Sequence, residues 1–567
     1  MRKFLLFSVA GFALVAAGGG SAFAATHDVE SASEGNAFGT YLAARSAAGD
    51  HDMAEASRLY IETLDSDPGN ASVANRAFLY TAAAGDVDEA LKLANKVVEG
   101  NEDDRAARMA LAVGDIKHGD YSEARDELSK SAKGPFTTLT LLLIDGWAAE
   151  GQGNTDAALK DFDGLQAAGG TAPLASYHRA LVLDLAGRDK EADAAYLDTL
   201  KNSNMGPRAA EAYGRFLERA GRIDEAKLLY TKLESDDSMQ PIYSAGLARI
   251  AAGIKPDRLV NDAKQGAAEG LFSIAAALND ASSADIAVLY LRLALYLNPD
   301  FDMAKIVLAD RFESLKKYNE AIKVYRTIPP GNPYQPAAAI QIAIDEGRLG
   351  ENDQAIADLK AIVAEHPNDL SSWTSLGDAY RAANKDALAI DAYNHAIATL
   401  NPPDKKDWPL YFARAVSEQA VKDNAASEAD LQTALKLSPE QPEVLNYLGY
   451  TWVDEGRNLT QAVAMLEKAR ALSPYDGYIV DSVGWAYFRL HRYQDASKTL
   501  QAAVLLVPGD PTINEHLGDA YWMAGRHLDA RFQWNHALAF NTDPSTKPEL
   551  EKKLQDGMTE AQARAGQ

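Results

Sequence analysis

The apolar side chains of this chain follow a pattern that repeats every 34 residues. Within each period they recur at intervals of three and four residues over two short segments, which is the spacing of two amphipathic helices. A glycine such as Gly85 or Gly119 separates the two segments, because glycine accepts the left-handed conformation that ends a helix. Prolines such as Pro474 and Pro508 stop the second segment. The pattern therefore predicts a long row of helix pairs.

One alanine position shows this period most clearly. Small residues are needed where two helices cross closely, since a bulkier side chain would push the backbones apart. A period that is held over nearly the whole chain is the signature of a solenoid. The position is occupied by Ala56, Ala90, Ala124, Ala158, Ala192, Ala226, Ala287, Ala321, Ala355, Ala389, Ala462, Ala496 and Ala530.

Residues 370–403 carry one complete period. Trp373, Gly377 and Tyr380 come first, and Ala389 follows in the second segment. The series resembles the tetratricopeptide repeat, in which W-x-x-L-G-x-x-Y precedes A-x-x-x-F, a further alanine and a proline. This resemblance implies an all-α fold, an α-solenoid in which helix-turn-helix repeats form a right-handed superhelix with a concave inner face. Fourteen such units begin near residues 37, 71, 105, 139, 173, 207, 268, 302, 336, 370, 408, 442, 477 and 511.

Breaks in the repeat register predict the domain organisation. Residues 239–267 fit at best one shortened unit, since Pro256 stands where its second helix should start. A proline-containing insertion follows at residues 401–407. The predicted segments are a signal peptide at 1–24, an N-terminal linker at 25–36, an N-terminal array of about six repeats at 37–238, a degenerate repeat or junction at 239–267, a central array of four repeats at 268–403, a C-terminal array of four repeats at 404–544, and a capping helix and tail at 545–567.

The first 24 residues are predicted to be a bacterial signal peptide of the Sec type. Arg2 and Lys3 precede the apolar run 4–17, and residues 22–24 form a small-x-small cleavage site. The run is too short to span a bilayer, and no later stretch approaches eighteen apolar residues. The chain has no cysteine, which excludes a lipoprotein anchor, disulfides and thiolate metal sites. We therefore expect an exported, periplasmic protein whose mature chain has no transmembrane segment.

The charge of the chain narrows the choice of partners. It has 81 acidic and 56 basic side chains and a formal charge of −25, whereas nucleic-acid binding relies on lysine and arginine. No motif typical of a metalloprotease, an α/β-hydrolase or a P-loop occurs, and the ten histidines are dispersed. The sequence therefore predicts a protein that is not an enzyme, requires no cofactor or metal and does not bind nucleic acid.

The candidate binding residues follow from the resemblance. In the family, the first helix of each repeat builds the inner face, mostly through its second, fifth, ninth and twelfth positions. Aromatic anchors beside polar groups are typical of a peptide-binding groove, although such rings also fill gaps between adjacent repeats. No lysine occupies the fifth positions, so a lysine clamp for a C-terminal carboxylate is not expected. The candidates in the last three repeats are Asn446, Tyr450, Tyr478, Asp481, Trp485, Glu515, Asp519 and Trp522.

The expected function is that of an exported tetratricopeptide-repeat scaffold in the bacterial cell envelope. Its concave face would bind protein or peptide partners, and the acidic, aromatic groove favours neutral or basic ones. An alternative is a component of a polysaccharide export or outer-membrane assembly machine, in which Trp485 and Trp522 would stack on sugar. The sequence leaves the partner and the oligomeric state open.

Overall fold

The chain folds into α-helices over the residues that its structure, a computed structural model, describes. These are residues 37–559 without 168–171, 203–206, 235–239, 279, 281–282, 401 and 542. They form thirty α-helices and no β-strand, so the predicted all-α solenoid is confirmed. None of the helices in this part of the chain is long and apolar enough to cross a bilayer. The predicted signal peptide at 1–24 and linker at 25–36 lie outside the described residues.

The described residues divide into two compact units, of which the first ends at Ala355. Its helices are α1 (Ala37–Gly49), α2 (Met53–Ser66), α3 (Ala71–Ala84), α4 (Val87–Gly100), α5 (Arg105–His118), α6 (Tyr121–Lys130), α7 (Pro135–Gly151), α8 (Thr155–Ala167), α9 (Ala172–Leu185), α10 (Asp189–Asn202), α11 (Pro207–Arg219), α12 (Ile223–Leu233), α13 (Gln240–Ala251), α14 (Ala263–Ala277), α15 (Ala284–Leu297), α16 (Asp302–Ser314), α17 (Tyr318–Tyr325) and α18 (Gln335–Arg348). The next helix, α19 (Asn352–Glu365), begins in this unit and ends in the second.

The second unit begins at Ile356 and is also built from helix pairs. A short 3-10 turn at Lys405–Asp407 precedes its second pair. The helices after α19 are α20 (Leu370–Ala382), α21 (Asp386–Ala398), α22 (Trp408–Ala420), α23 (Asn424–Leu437), α24 (Pro442–Asp454), α25 (Leu459–Leu472), α26 (Gly477–Arg489), α27 (Tyr493–Leu506), α28 (Pro511–Met523), α29 (His527–Phe540) and α30 (Lys547–Asp556).

Close helix crossings explain the small residues of the pattern. In the pair α26–α27, a side-chain carbon added at Gly484 would come within 2.6 Å of Leu500. In the pair α28–α29, the same addition at Gly518 would overlap the indole of Trp534. Ala496 on α27 is fully buried. The small residues therefore let the two backbones of a pair approach each other, as the alanine period predicts.

The segment from 254 to 297 departs from a simple row of repeats. Residues 254–262, which include Pro256, form no helix, so α13 has no second helix beside it. The next two helices, α14 and α15, pack against α3, α5, α7 and α9 as well as against each other. The boundary between the two units along the chain follows Ala355, which lies inside the predicted central array 268–403. The pair α14–α15 thus belongs to the core of the first unit.

Candidate functional site

The first helix of each pair contributes to one surface of a unit, which we call its inner face. In the first unit, α14 packs on this face against α5, α7 and α9, while α15 packs against α3 and α5. Gly266 of α14 lies against Trp147 of α7 so closely that a side-chain carbon would overlap the ring, and Trp147 is fully buried. The chain's own helices therefore cover the inner face of the first unit along α3, α5, α7 and α9.

Polar contacts also hold this helical hairpin in place. The hydroxyl of Tyr177 donates to Glu269 Oε1 at 2.8 Å, and Arg208 Nη2 lies 2.7 Å from Glu269 Oε2. Glu269 is only 2% exposed, so these donors compensate a buried carboxylate. At the other end of the hairpin, His51 Nδ1 lies 3.0 Å from Asp285 Oδ1. Burial and ion pairs together seat α14 and α15 on the inner face.

In the second unit, the inner face of the last three repeats carries all eight predicted binding residues. Asn446 and Tyr450 lie half-buried on α24, and Glu515 and Trp522 lie half-buried on α28. Tyr478, at the start of α26, is 46% exposed. The remaining three, which are Asp481, Trp485 and Asp519, are buried. The structure thus brings the candidates onto three successive first helices, α24, α26 and α28, but most of them contact the protein itself.

Trp485 is the centre of one buried cluster. The rings of His516 and Phe488 lie nearly parallel to its indole, with centroids 4.1 Å and 4.8 Å away. His516 Nδ1 lies 3.0 Å from both carboxylate oxygens of Asp481. Burial acts to lower the pKa of His516, but the charge and hydrogen bond of Asp481, with the charges of Asp519 and Glu515, together outweigh it and raise the pKa above the ordinary histidine value. The indole therefore stacks on an imidazole whose charged form Asp481 favours.

The sequence pattern does not single out His516, because its partner lies on the preceding first helix. Asp481 and His516 are 35 residues apart, which is one repeat plus one residue. Stacked repeats bring such positions together on neighbouring helices. An acidic residue and a histidine at this separation, both on first helices, are the signal that would have found the pair.

The last repeat is covered by α30 and the residues that follow it. Lys553 Nζ lies 2.7 Å from Glu515 Oε1 and 2.9 Å from Asp519 Oδ2. The indole nitrogen of Trp522 donates to the carbonyl oxygen of Met558 at 2.7 Å. Three predicted binding residues therefore anchor the C-terminal helix to α28. For these residues the packing interpretation of the sequence describes the structure better than the groove interpretation.

Two of the predicted residues keep an unused polar atom. Asn446 Oδ1 and Trp485 Nε1 are buried and have no hydrogen-bond partner among the described residues. One atom accepts and the other donates, which matches the two polar groups of a peptide unit. They lie on α24 and α26, which pack against each other. We call Asn446, Tyr450, Tyr478 and Trp485 the α24–α26 face.

Trp485 and Trp522, the two tryptophans considered for sugar stacking, both pack against aromatic rings of the chain itself. Trp485 is 6% exposed, and its ring is stacked within the cluster described above. The ring of Trp522 packs against His527, with centroids 4.2 Å apart, and against Trp534 at 5.4 Å. Among the described residues there is also no group of three or more metal-ligating side chains.

Comparisons with known proteins identify the repeats. The family model described as "Tetratricopeptide repeat" matches residues 340–405, 412–477 and 484–545. The chain is 29% identical over 222 residues to a TPR repeat-containing protein of Pseudomonas aeruginosa, which covers 38% of this chain and 36% of the relative. It is 31% identical over 147 residues to the cytochrome c-type biogenesis protein CycH of Rhizobium meliloti, which covers 26% of this chain and 37% of the relative. The chain thus spans little more than a third of the length of these curated relatives.

Two solved structures are similar to the chain at low sequence identity. One is the APC/C hetero-tetramer Cut9–Hcn1, at 16% identity and a TM-score of 0.39, with 92% of this chain and 97% of that chain covered. The other is YrrB, a TPR protein with an unusual peptide-binding site, at 15% identity and a TM-score of 0.28, with 34% of this chain and 97% of that chain covered.

Proposed function

We infer that this chain, which carries tetratricopeptide repeats, is a non-enzymatic scaffold that binds a protein or peptide partner on the α24–α26 face. Stacked helix pairs present an extended surface that is ordered before it binds, so little ordering cost falls on the scaffold. The inner face of the first unit is covered by α14 and α15 along α3, α5, α7 and α9. The partner surface is therefore assigned to the second unit.

The observation that carries this assignment is the pair of unused polar atoms. A buried donor or acceptor without a partner costs about 1–3 kcal/mol, so a ligand that supplies the missing hydrogen bond recovers that free energy. Asn446 Oδ1 and Trp485 Nε1 are suited to receive an N–H and to donate to a C=O. The half-exposed ring of Tyr478 lies on the same α26 and offers apolar contact area. An extended peptide segment meets all of these requirements.

The charges around the face favour a neutral or basic segment. Asp481 is engaged by His516, and Glu515 and Asp519 are engaged by Lys553, so the local carboxylates are largely compensated. The whole chain nevertheless carries a formal charge of −25, which repels an acidic partner at long range. We therefore propose recognition through backbone groups and apolar side chains, with long-range attraction for basic residues.

We expect the change Asn446→Ala to weaken peptide binding by about tenfold or more, because it removes a hydrogen bond from a dry site. Peptides would be selected from a random display library against the wild-type protein, and their affinities would then be measured by fluorescence polarisation. The fold should persist, since Asn446 Oδ1 has no partner to lose among the described residues.

Asn535→Ala is the matched control for this experiment. Asn535 is an exposed asparagine on α29 whose amide donates only to the backbone of Arg531. It should leave peptide affinity unchanged. Selected peptides that bind wild type and Asn446→Ala equally would remove the α24–α26 face from the proposal.

We further propose that the scaffold is exported to the bacterial cell envelope. The basic residues Arg2 and Lys3, the apolar run 4–17 and the small residues at 22–24 support export. When the full chain is expressed in a bacterium with a Sec pathway, the secreted fraction should begin at Ala25. N-terminal sequencing checks this, and an uncleaved chain confined to the cytoplasm would contradict it.

A further inference from the structure

A polar cavity of about 290 Å³ lies in the first unit, whereas the α24–α26 face belongs to the second. Its wall combines α11 and α13 with residues 257–265 and with the segments that precede α16 and α18. Four of the lining residues are arginines, namely Arg208, Arg215, Arg249 and Arg258. Four acidic residues line it as well, namely Glu211, Asp257, Asp300 and Asp302, so charged groups of both signs meet at this wall.

Two of the arginines, Arg208 and Arg215, pair with the buried carboxylate of Glu211. Arg208 Nη1 lies 2.9 Å from Glu211 Oε2, and Arg215 Nη2 lies 2.6 Å from Glu211 Oε1. Burial acts to raise the pKa of Glu211, yet the charges of Arg208, Arg215 and Arg249 hold this pKa below its ordinary value. The neighbouring guanidinium groups therefore compensate the burial of this carboxylate.

The pairing of these arginines leaves donors unused. A guanidinium has five N–H donors in a fixed fork, and one carboxylate occupies at most two of them. Arg249 uses Nη2 for Glu218 at 2.8 Å. The Nε atoms of Arg215 and Arg249 are buried and have no hydrogen-bond partner among the described residues.

Tyr334 adds a third unused donor to the same wall. Its hydroxyl is buried and has no hydrogen-bond partner among the residues that the structure describes. Burial raises the pKa of this hydroxyl, so that it stays protonated and can donate. The three buried side-chain atoms of this wall that lack a partner are thus all hydrogen-bond donors.

We propose that this cavity binds a small organic oxyanion, whose carboxylate or phosphate group accepts hydrogen bonds from Arg215, Arg249 and Tyr334. Charge-assisted hydrogen bonds of this kind are stronger than neutral ones, and arginine forks match the geometry of carboxylate and phosphate. The volume lies at the small end of ligand pockets and exceeds the need of a bare phosphate. Asn261 Oδ1 and Gln265 Nε2, whose residues also line the cavity, are suited to hydrogen-bond a hydroxyl group of such a ligand.

The test uses four small molecules, of which three share a glucose-type ring and the fourth has no sugar ring. Glucuronate carries a carboxylate, glucose 6-phosphate carries a phosphate, glucose carries no charge, and citrate is an anion without the sugar ring. Isothermal titration of the full chain should detect at least one of the anions with a Kd of about 1 mM or lower, and glucose should not bind. The two charged sugars then distinguish a carboxylate ligand from a phosphate ligand. If no anion binds, or glucose binds as well as the anions, the proposal is overturned.

Tyr334→Phe locates the site without endangering the fold. The change removes only a hydroxyl that has no partner among the described residues, so the Tm should stay the same or rise. The affinity for the anion should fall by about tenfold or more. Tyr475→Phe, on a side chain that is 86% exposed in the second unit, should leave the affinity unchanged. An anion that binds wild type and Tyr334→Phe equally does not occupy this cavity, which would overturn the proposal.

Discussion

Replacing Gly266 with alanine is expected to destabilise the first unit by about 3 kcal/mol, although alanine is the better helix former. A side-chain carbon at Gly266 would overlap the indole of Trp147. That ring cannot move away easily, since it is fully buried and its Nε1 donates to His178 at 3.0 Å. The added methyl group must therefore lift α14 away from α7 and expose apolar surface on both helices.

Gly270→Ala is the matched control, because it makes the same change one turn later on the same helix. A side-chain carbon at Gly270 would lie 3.5 Å from Ile144, which is an ordinary van der Waals distance. This variant should be neutral or gain up to about 1 kcal/mol from helix propensity. Hydrogen exchange of the full chain checks both variants, and exchange over 263–297 should accelerate only in Gly266→Ala. Equal exchange in the two variants would show that α14 does not depend on this contact.

The arrangement of the helix pairs could be predicted from the sequence because their packing is local. Each pair buries its apolar stripe against its neighbour, so the alanine period carries the information. The units predicted near 442, 477 and 511 coincide with the first residues of α24, α26 and α28. The seating of α14 and α15 on the inner face could not be predicted in this way. Gly266 and Trp147 are far apart in sequence, and nothing in a repeat pattern relates them.

The sequence predicted which helices carry the candidate binding residues, but it did not predict that most of these residues pack against other parts of the chain. The repeat register places Asp481 and Trp485 on the inner face, where the structure has them. Both residues contact His516, which lies one repeat further along the chain. Asp519 forms an ion pair with Lys553, which lies outside the repeats. Contacts between a repeat and a terminal helix have no period. The sequence therefore could not distinguish a residue that is free to bind another molecule from one that already pairs with a side chain of the same protein.

Lys553→Ala is expected to destabilise the end of the second unit by about 3–5 kcal/mol at neutral pH. The lysine side chain is 9% exposed and that of Asp519 is 5% exposed, so the ion pair between them is buried. Removing one partner of a buried pair leaves the other charge uncompensated, which is more costly than losing the pair as a whole. The variant should loosen the contact of α30 with α28 and leave Asp519 buried without its ion-pair partner.

The stability lost in Lys553→Ala depends on pH, because the carboxylate of Asp519 remains without its ion-pair partner. Burial raises the pKa of Asp519 even though Lys553 opposes the rise, and removal of Lys553 raises it further. A carboxyl group whose pKa is higher in the folded state than in the unfolded state favours folding when protonated, so the deficit of Lys553→Ala should shrink as the pH falls from 7 towards the ordinary carboxyl range.

Lys552→Ala is the matched control, since Lys552 is exposed and adjacent, and it should cost less than about 0.5 kcal/mol at every pH. Urea unfolding of both variants at pH 5 and pH 7 measures the difference. Equal losses in the two variants, or a deficit in Lys553→Ala that grows on acidification, would mean that Lys553 does not secure the C-terminal helix by compensating Asp519.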